Sequence, residues 1–207
     1  MGNYIERFST RQRVLHWIVT ASFFTLLLSG VGLFSRLFNG YFNLFGGGQN
    51  AIFVHKIAGV IFFFSSVYMY LDHRREISTF DDNDKEWFRQ FGGYLSRARH
   101  HFHIGRYNPG QKLFALFIAF ATIVLGGTGV IIWSPTGFAR GIVQFALMLH
   151  GLMFVASLMF MVLHIYLATI GNPGTIQAML YGDVRKEWAK HHHPRWYSER
   201  TGDKREV

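Results

Sequence analysis

The sequence contains no cysteine. This absence excludes a protein-bound iron–sulfur cluster, a thiolate zinc site and a disulfide, so any redox centre in this chain must use other ligands. Acidic residues are also scarce, since 12 Asp and Glu stand against 21 Lys and Arg and give a formal net charge of +9. A basic chain of this kind could bind nucleic acid. The positions of its charges favour a membrane protein instead, with no nucleic-acid partner.

Long apolar runs, in contrast, are abundant. The chain is 50% hydrophobic, and nearly continuous apolar runs cover about 14–38, 52–71, 113–133 and 143–170. Each run reaches the length of about 20 residues that a helix needs to cross a membrane. Spanning segments of this type must be helical, because backbone polar groups in lipid have to pair within the segment. We therefore predict an all-α fold, a four-helix transmembrane bundle that forms a single domain over residues 1–207.

Lysine and arginine are distributed unevenly between the two sides of these predicted spans. Eighteen lie in the N-terminal segment, the connection 72–112 and the tail 171–207, whereas the other three are Arg36, Lys56 and Arg140. The positive-inside rule then predicts that both termini, the loop and the tail are cytoplasmic. We expect a multi-pass protein of the bacterial inner membrane, whose basic surface contacts lipid headgroups or a partner subunit.

The predicted loop has a helix signal of its own. Residues 81–84 are three Asp and one Asn before Lys85, and such side chains stabilise a helix N-terminus. The apolar residues that follow are spaced for one face of an amphipathic helix at the membrane surface, namely Trp87, Phe88, Phe91, Tyr94 and Leu95. The acidic cluster lacks the glycine and distal glutamate of a calcium loop. In the tail, the run His191, His192 and His193 could bind adventitious metal, but we expect it to lie in a solvated basic segment.

Four of the eleven histidines lie in or at the ends of predicted spans: His16, His55, His150 and His164. Ionisable side chains within a membrane are costly and are functional candidates for that reason. In the predicted orientation, His16 and His164 share the cytoplasmic level of the membrane, and His55 and His150 share the periplasmic level. A single histidine is often a hydrogen-bonded structural residue, but four at two matched depths favour ligands.

The two histidines of the fourth span are 14 residues apart. At about 100° and 1.5 Å per residue, their side chains lie on nearly one face and about 21 Å apart. Two imidazoles per level suit the axial positions of haem iron, so we predict a dihaem cytochrome b with pairs His16/His164 and His55/His150. Zinc would need further donors. Glycines that would give a macrocycle room, or let helices pack closely, are Gly30, Gly59, Gly126, Gly127, Gly129 and Gly151.

Several segments together match one family pattern. They are 13–17 (Arg-Val-Leu-His-Trp), 106–112 (Arg-Tyr-Asn-Pro-Gly-Gln-Lys), 128–133 (Thr-Gly-Val-Ile-Ile-Trp), 188–190 (Trp-Ala-Lys) and 192–197 (His-His-Pro-Arg-Trp-Tyr). With these segments, with His55 and with the His150/His164 pair, the chain resembles the cytochrome b (gamma) subunit of membrane-bound, quinone-reducing formate dehydrogenases. The resemblance covers nearly the whole chain.

This resemblance implies two haem b groups held by the same histidine pairs. It also implies a quinone site beside the cytoplasmic haem, formed by Asn108, Gly110 and Gln111 with His164 adjacent, and menaquinone or ubiquinone as the substrate. Residues 108–110 (Asn-Pro-Gly) also favour a turn by themselves. The alternative to a quinone site is therefore a capped turn before the third span.

The implied partners are an iron–sulfur (beta) subunit and, through it, a molybdopterin or tungstopterin catalytic (alpha) subunit, in a complex that can form a higher oligomer. We expect the chain to anchor this complex and to pass electrons from periplasmic formate oxidation across the membrane to quinone near the cytoplasmic side.

Three alternatives remain open at this stage. The chain could be the cytochrome b subunit of a respiratory hydrogenase or of a thiosulfate or polysulfide reductase, because the electron donor is not encoded in it. A membrane haem-binding protein without electron traffic would have the same histidines. An ion or solute transporter would also contain intramembrane histidines, but it would bind no haem.

Overall fold

Four long helices dominate the computed structural model, which describes residues 2–90, 92 and 102–202. They are α1 (Thr10–Phe34), α2 (Gly48–Ile77), α4 (Pro109–Trp133) and α5 (Arg140–Tyr166). All four are long and apolar enough to cross a membrane. The predicted all-α, four-span fold is therefore confirmed, and the protein is a membrane protein.

Short elements complete the described chain. Helix α3 (Asp82–Arg89) follows α2, and helices α6 (Gln177–Leu180), α7 (Lys186–His192) and α8 (Pro194–Thr201) lie in the tail. Two three-residue strands, β1 (Tyr4–Glu6) and β2 (Asp183–Arg185), pair antiparallel with Ile5 opposite Val184. This small sheet was not predicted, because three residues are too few to produce a recognisable alternation.

The helix ends differ from the predicted span limits by a few residues. Helix α1 ends at Phe34, and a 3₁₀ segment, Arg36–Phe45, follows it. Ser35 begins this segment in an extended conformation, and its side chain accepts a hydrogen bond from the Leu37 backbone amide. Gly46 caps the end of this segment, and its φ of 74° is left-handed and suits glycine. The apolar run through residue 38 thus includes a change of backbone geometry that hydropathy does not detect.

The chain divides into two compact units. The first, called the span unit, contains Val14–Leu71 and Ile118–Met161. Aromatic rings connect its helices, since Phe23 of α1 packs on Phe62 of α2 and Phe34 of α1 packs on Phe154 of α5. At most 28% of the most apolar stretch of any span is buried within the protein. The outward side chains of the spanning helices are apolar, as contact with lipid requires.

The second unit, called the terminal unit, is built from the described residues of Met1–Arg13, Asp72–Phe117 and Val162–Val207. Its core contains Phe8, Ala178, Val184, Ala189 and Trp196. The β1–β2 pair brings the first residues of the chain onto the tail, so the segments predicted as a cytoplasmic loop and a cytoplasmic tail fold together with the N-terminus.

Helix α3 confirms the predicted acidic cap. The Asp81 side chain accepts a hydrogen bond from the Asp84 backbone amide, and the Asp84 side chain accepts one from the Asp81 amide. This reciprocal capping box satisfies two amides that a helix N-terminus leaves unpaired. The helix ends at Arg89. Of the predicted amphipathic face, Phe91, Tyr94 and Leu95 lie outside the described residues.

Candidate functional site

The span unit brings two of the predicted ligands together. His55 lies near the start of α2, His150 lies in α5, and their ring centroids are 6.5 Å apart with an angle of 58° between the ring planes. Two imidazoles that bind one metal ion from opposite sides, each at about 2 Å, have ring centres about 6 Å apart. The observed separation fits the axial pair of a haem iron.

Each ring has a hydroxyl partner on the helix that precedes it in the chain. His55 Nδ1 lies 2.9 Å from Ser29 Oγ of α1, and His150 Nδ1 lies 2.8 Å from Thr128 Oγ1 of α4. Both hydroxyls donate their proton to a carbonyl of their own helix, Ser29 to Thr25 at 2.6 Å and Thr128 to Val124 at 2.7 Å. These short bonds assign the hydroxyl protons to the carbonyls, and with that assignment each Nδ1 donates to its hydroxyl oxygen. The lone pair of Nε2 is then the one that can bind iron.

Small residues lie beside both rings. A Cβ atom at Gly30 would come within 3.0 Å of His55 Cε1, and one at Gly129 would lie 3.7 Å from His150 Cε1. Two of the other predicted glycines serve different contacts, because Gly126 packs on Phe63 and Gly151 faces Phe34. The glycines thus let the two imidazoles lie close against α1 and α4. Donor type and ring separation together fit a haem at His55 and His150.

Ser29 and Thr128 were not among the predicted site residues. Each directly precedes a glycine that the sequence had singled out, and each is a hydroxyl residue within an apolar run. Intramembrane serine and threonine often bond only to their own helix, so their pairing with a histidine depends on how neighbouring helices pack.

The other two histidines have different surroundings. His16 lies near the start of α1 in the span unit, edge-on to Trp17 with ring centroids 5.3 Å apart. Its Nδ1 is buried and has no hydrogen-bond partner among the described residues. His164 belongs to the terminal unit, where its ring stacks on Phe114 at 4.3 Å with an interplanar angle of 4°.

The predicted quinone segment forms the N-terminus of α4. The Gln111 backbone amide donates to Asn108 Oδ1 at 2.8 Å, and the Asn108 amide donates to Gln111 Oε1 at 3.0 Å. This is a capping box, the local role that turn chemistry suggested. Both side-chain carbonyls are thus occupied, whereas the two side-chain NH₂ groups make no hydrogen bond within the described part of the chain. The Trp87 ring covers Gly110, with Cη2 3.2 Å from the position of a Cβ there.

A buried ion pair connects this N-terminus to α3. Lys112 Nζ donates to Asp84 Oδ2 at 2.5 Å and to the Thr79 carbonyl at 2.9 Å. The neighbouring Asp81 carboxylate accepts a hydrogen bond from Arg195 of α8. Burial raises the pKa of Asp81, but the hydrogen bond from Arg195 and its charge outweigh burial and leave that pKa below its usual value.

A second buried cluster surrounds Arg7. Its Nη2 donates to the Arg106 carbonyl at 2.8 Å and to His193 Nε2 at 3.0 Å, and the His193 Nδ1–H donates to the Gly105 carbonyl at 2.7 Å. Burial lowers the pKa of Arg7 to about 10. Burial, and then the charge of Arg7, also holds the pKa of His193 well below its usual value. The prediction of a solvated histidine run was wrong for His193, which is 1% exposed, because its ring packs inside the terminal unit.

Comparisons with known proteins agree with this architecture. Residues 7–182 match the family model described as prokaryotic cytochrome b561. The chain is 35% identical over 199 residues to the formate dehydrogenase cytochrome b556(fdo) subunit of Escherichia coli K12, a match that covers 94% of this chain and 92% of that protein.

Two further relatives have related names. The nitrate-inducible formate dehydrogenase cytochrome b556(Fdn) subunit of Escherichia coli K12 is 31% identical over 191 residues, which cover 90% of this chain and 87% of that protein. The formate dehydrogenase cytochrome b556 subunit of Haemophilus influenzae is 30% identical over 212 residues, which cover 98% of this chain and 86% of that protein.

Proposed function

The chain belongs to the prokaryotic cytochrome b561 family, and we propose that it is the dihaem cytochrome b subunit that anchors a formate dehydrogenase in the membrane and delivers its electrons to quinone. The similarity to named cytochrome b556 subunits over 94% of the chain carries this proposal. Membership of the family implies that the chain binds haem b and that it serves electron transfer in a membrane.

The ligands follow from the two histidine levels. His55 and His150 would hold one haem, which the 6.5 Å ring separation supports. His16 and His164 would hold the second haem. Two observations support this pair: the span order predicts the same membrane depth for both histidines, and both belong to the matched family pattern. When bound, haem b supplies a one-electron redox centre. The chain's own part is to hold two such centres at depths about 21 Å apart, the rise of 14 helical residues.

Orientation follows from the charge distribution. With 18 of the 21 Lys and Arg on one side, both termini would be cytoplasmic in a bacterial inner membrane. The His55/His150 pair would then face the periplasm. Electrons that move inward oppose a membrane potential that is negative inside, at about 2.3 kcal/mol per charge per 100 mV, so this path would conserve redox energy.

Quinone would be reduced near the cytoplasmic pair. The side-chain amides of Asn108 and Gln111 are donors that a quinone carbonyl requires, and their own carbonyls are already used in the α4 cap. Gly110 lies between them, and the Trp87 ring covers it, with Cη2 3.2 Å from the position of a Cβ there. His164 would lie adjacent, and either menaquinone or ubiquinone would serve as the substrate.

Formate oxidation itself would take place in other chains. Without cysteine this chain has no ligands for an iron–sulfur cluster, so an iron–sulfur (beta) subunit would deliver electrons from a molybdopterin or tungstopterin (alpha) subunit. The same proposal includes contacts of this chain with membrane lipid and a higher oligomer of the complex. It also treats residues 1–207 as a single cytochrome b domain.

Two measurements test the proposal together: the haem content of the chain and the reduction of its haems by formate. The complex is purified in detergent, and the pyridine haemochrome assay is expected to give two b haems per chain. His55→Ala and His16→Ala should each remove one haem, whereas the exposed tail variant His191→Ala should remove none. Formate should reduce both haems in wild-type membranes, and a quinone analogue should reoxidise them.

Other outcomes would contradict specific parts of the proposed function. One haem per chain would mean that one histidine pair is structural and would break the transmembrane path. A folded chain without haem would favour a transporter. Haems that hydrogen or a sulfur compound reduces, and that formate does not, would assign the chain to a different respiratory enzyme.

A further inference from the structure

The same two-residue arrangement faces both histidines of the span unit. On α1, Ser29 and Gly30 contact His55 of α2, and on α4, Thr128 and Gly129 contact His150 of α5. In each case a hydroxyl residue is followed by a glycine, and in each case the histidine lies on the next spanning helix. Two independent helix pairs therefore support their histidine in the same way.

The hydroxyl determines how the imidazole is used. Ser29 and Thr128 donate backwards to the carbonyl four residues earlier, so each presents only lone pairs to the ring. A ring that donates Nδ1–H to such an acceptor is held in one tautomer and one orientation. It also becomes a stronger electron donor through Nε2, as second-shell acceptors do for metal-bound histidines.

The glycine determines how closely the helices approach. A methyl group at Gly30 would lie 3.0 Å from His55 Cε1, a contact shorter than ordinary van der Waals distance. Ser29 itself is fully buried. Any side chain at Gly30 would push the ring away and lengthen the hydrogen bond of 2.9 Å to Ser29.

We infer that Ser29 and Thr128 are positioning residues that set the tautomer and orientation of His55 and His150 and lower the midpoint potential of the haem between them. The inference rests on the proposed function, because it requires a haem at this pair. Stronger donation from the imidazoles stabilises ferric iron relative to ferrous iron, and two acceptors act on the same iron. Loss of either acceptor should therefore raise the potential of this haem only.

The chain provides matched variants for the test. Thr128→Val removes the acceptor and keeps the shape, whereas Thr128→Ser keeps the acceptor and loses a methyl group. Thr122→Val is the control, since Thr122 is a buried threonine of α4 whose hydroxyl, within the described residues, bonds only to the Ile118 carbonyl. For Ser29→Ala the control is Ser65→Ala, because Ser65 has the same backward bond, to the Ile61 carbonyl.

The measurement is a spectroscopic redox titration of the full chain in its native membranes, together with the electron paramagnetic resonance of the ferric haems. We expect Thr128→Val and Ser29→Ala to raise one of two midpoint potentials and to shift the low-field g value of the same haem. Their combination should shift it further. Thr128→Ser and both controls should match the wild type.

Several outcomes would overturn the inference. Unchanged potentials and g values in Thr128→Val and Ser29→Ala at full haem content would do so. If Thr128→Val loses the haem, Thr128→Ser decides, since a loss of haem there as well would assign the effect to packing. His55→Ala distinguishes the ligand role of His55 from the positioning role of Thr128. Haem retained in that variant rejects the proposed ligand, and haem lost there without any shift in Thr128→Val rejects the positioning role alone.

Discussion

Lys112 of α4 and Asp84 of α3 form an ion pair that is almost completely shielded from solvent, with Nζ 2.5 Å from Oδ2 and the two side chains 6% and 4% exposed. Asp84 also closes the capping box of α3, and Lys112 lies next to Gln111 in the α4 cap. One pair therefore joins the start of α3 to the start of α4. It holds in place the segment that we propose to bind quinone.

Removing one partner of this pair should destabilise the terminal unit strongly. Lys112→Met leaves the Asp84 carboxylate buried without its cation, which typically costs about 3–5 kcal/mol. Thermal unfolding or limited proteolysis of the purified protein would measure the loss. Lys112→Met combined with Asp84→Asn should recover part of the stability, because the unpaired charge is then absent.

The exposed pair of Lys85 and Asp82 is the matched control. Its atoms are 2.8 Å apart, but Asp82 is 95% exposed, and surface pairs contribute little. Lys85→Met should leave thermal unfolding unchanged. An equal loss in Lys85→Met and Lys112→Met would mean that burial of the pair has no influence on its strength.

Asn108→Asp should separate the two roles of Asn108, as the N-cap of α4 and as a hydrogen-bond donor to quinone. Aspartate keeps the oxygen that accepts from the Gln111 amide and suits a helix N-terminus, so α4 should be as stable as before. The side-chain NH₂ donor is lost, and a hydrogen bond of about 1 kcal/mol corresponds to roughly a fivefold weaker quinone interaction. We expect normal haem content and normal reduction by formate, with slower reoxidation by quinone.

Asn108→Ala is the comparison, because it loses the cap and the donor together. It should slow reoxidation by quinone and also lower the stability of the protein by about 1 kcal/mol. Reoxidation at the wild-type rate in Asn108→Asp would remove the side-chain amide of Asn108 from the quinone site.

The terminal unit should lose stability in mild acid. Burial lowers the pKa of His193 from 6.5, and burial, His191 and Arg7 lower the pKa of His192 to about 4. Both histidines are neutral when folded and bind protons more readily when unfolded. Their contribution is complete above pH 6.5 and is lost as the pH falls towards 4.

Unfolding measured across this pH range would show the effect. His193→Gln should reduce the dependence on pH more than His191→Gln, which changes an exposed side chain and removes only its part in lowering the pKa of His192. A His193→Gln variant with the full pH dependence of the wild type would assign the acid sensitivity to other groups.

Gly126→Ala should disturb the packing between α2 and α4. A methyl group there would lie 2.6 Å from Phe63 Cδ2, and overpacking of this kind typically costs about 1–3 kcal/mol. Gly127→Ala is the control, because a Cβ at Gly127 meets no atom within 4 Å. It should be neutral or slightly stabilising, since alanine favours helix. Thermal unfolding that ranks the two variants in the opposite order would contradict this packing.

Several of these features could be predicted from the sequence because they depend on neighbouring residues. Span length needs only about 20 apolar residues, so the four long helices were predicted correctly. The Asp81 cap of α3 follows from side chains within one helical turn. The spacing of His150 and His164 likewise follows from the helix repeat.

Tertiary structure decided the features that join distant segments. Ser29 meets His55 across 26 residues, Thr128 meets His150 across 22, and Arg7 meets His193 across 186. No local pattern shows which serine or threonine of an apolar run turns towards a histidine, or that the last histidine of a basic tail is buried. Those choices depend on which helix faces pack together, and packing is a property of the whole fold. The sequence by itself determined the four spans and the histidines within them, and the tertiary structure decided the partners that hold those histidines.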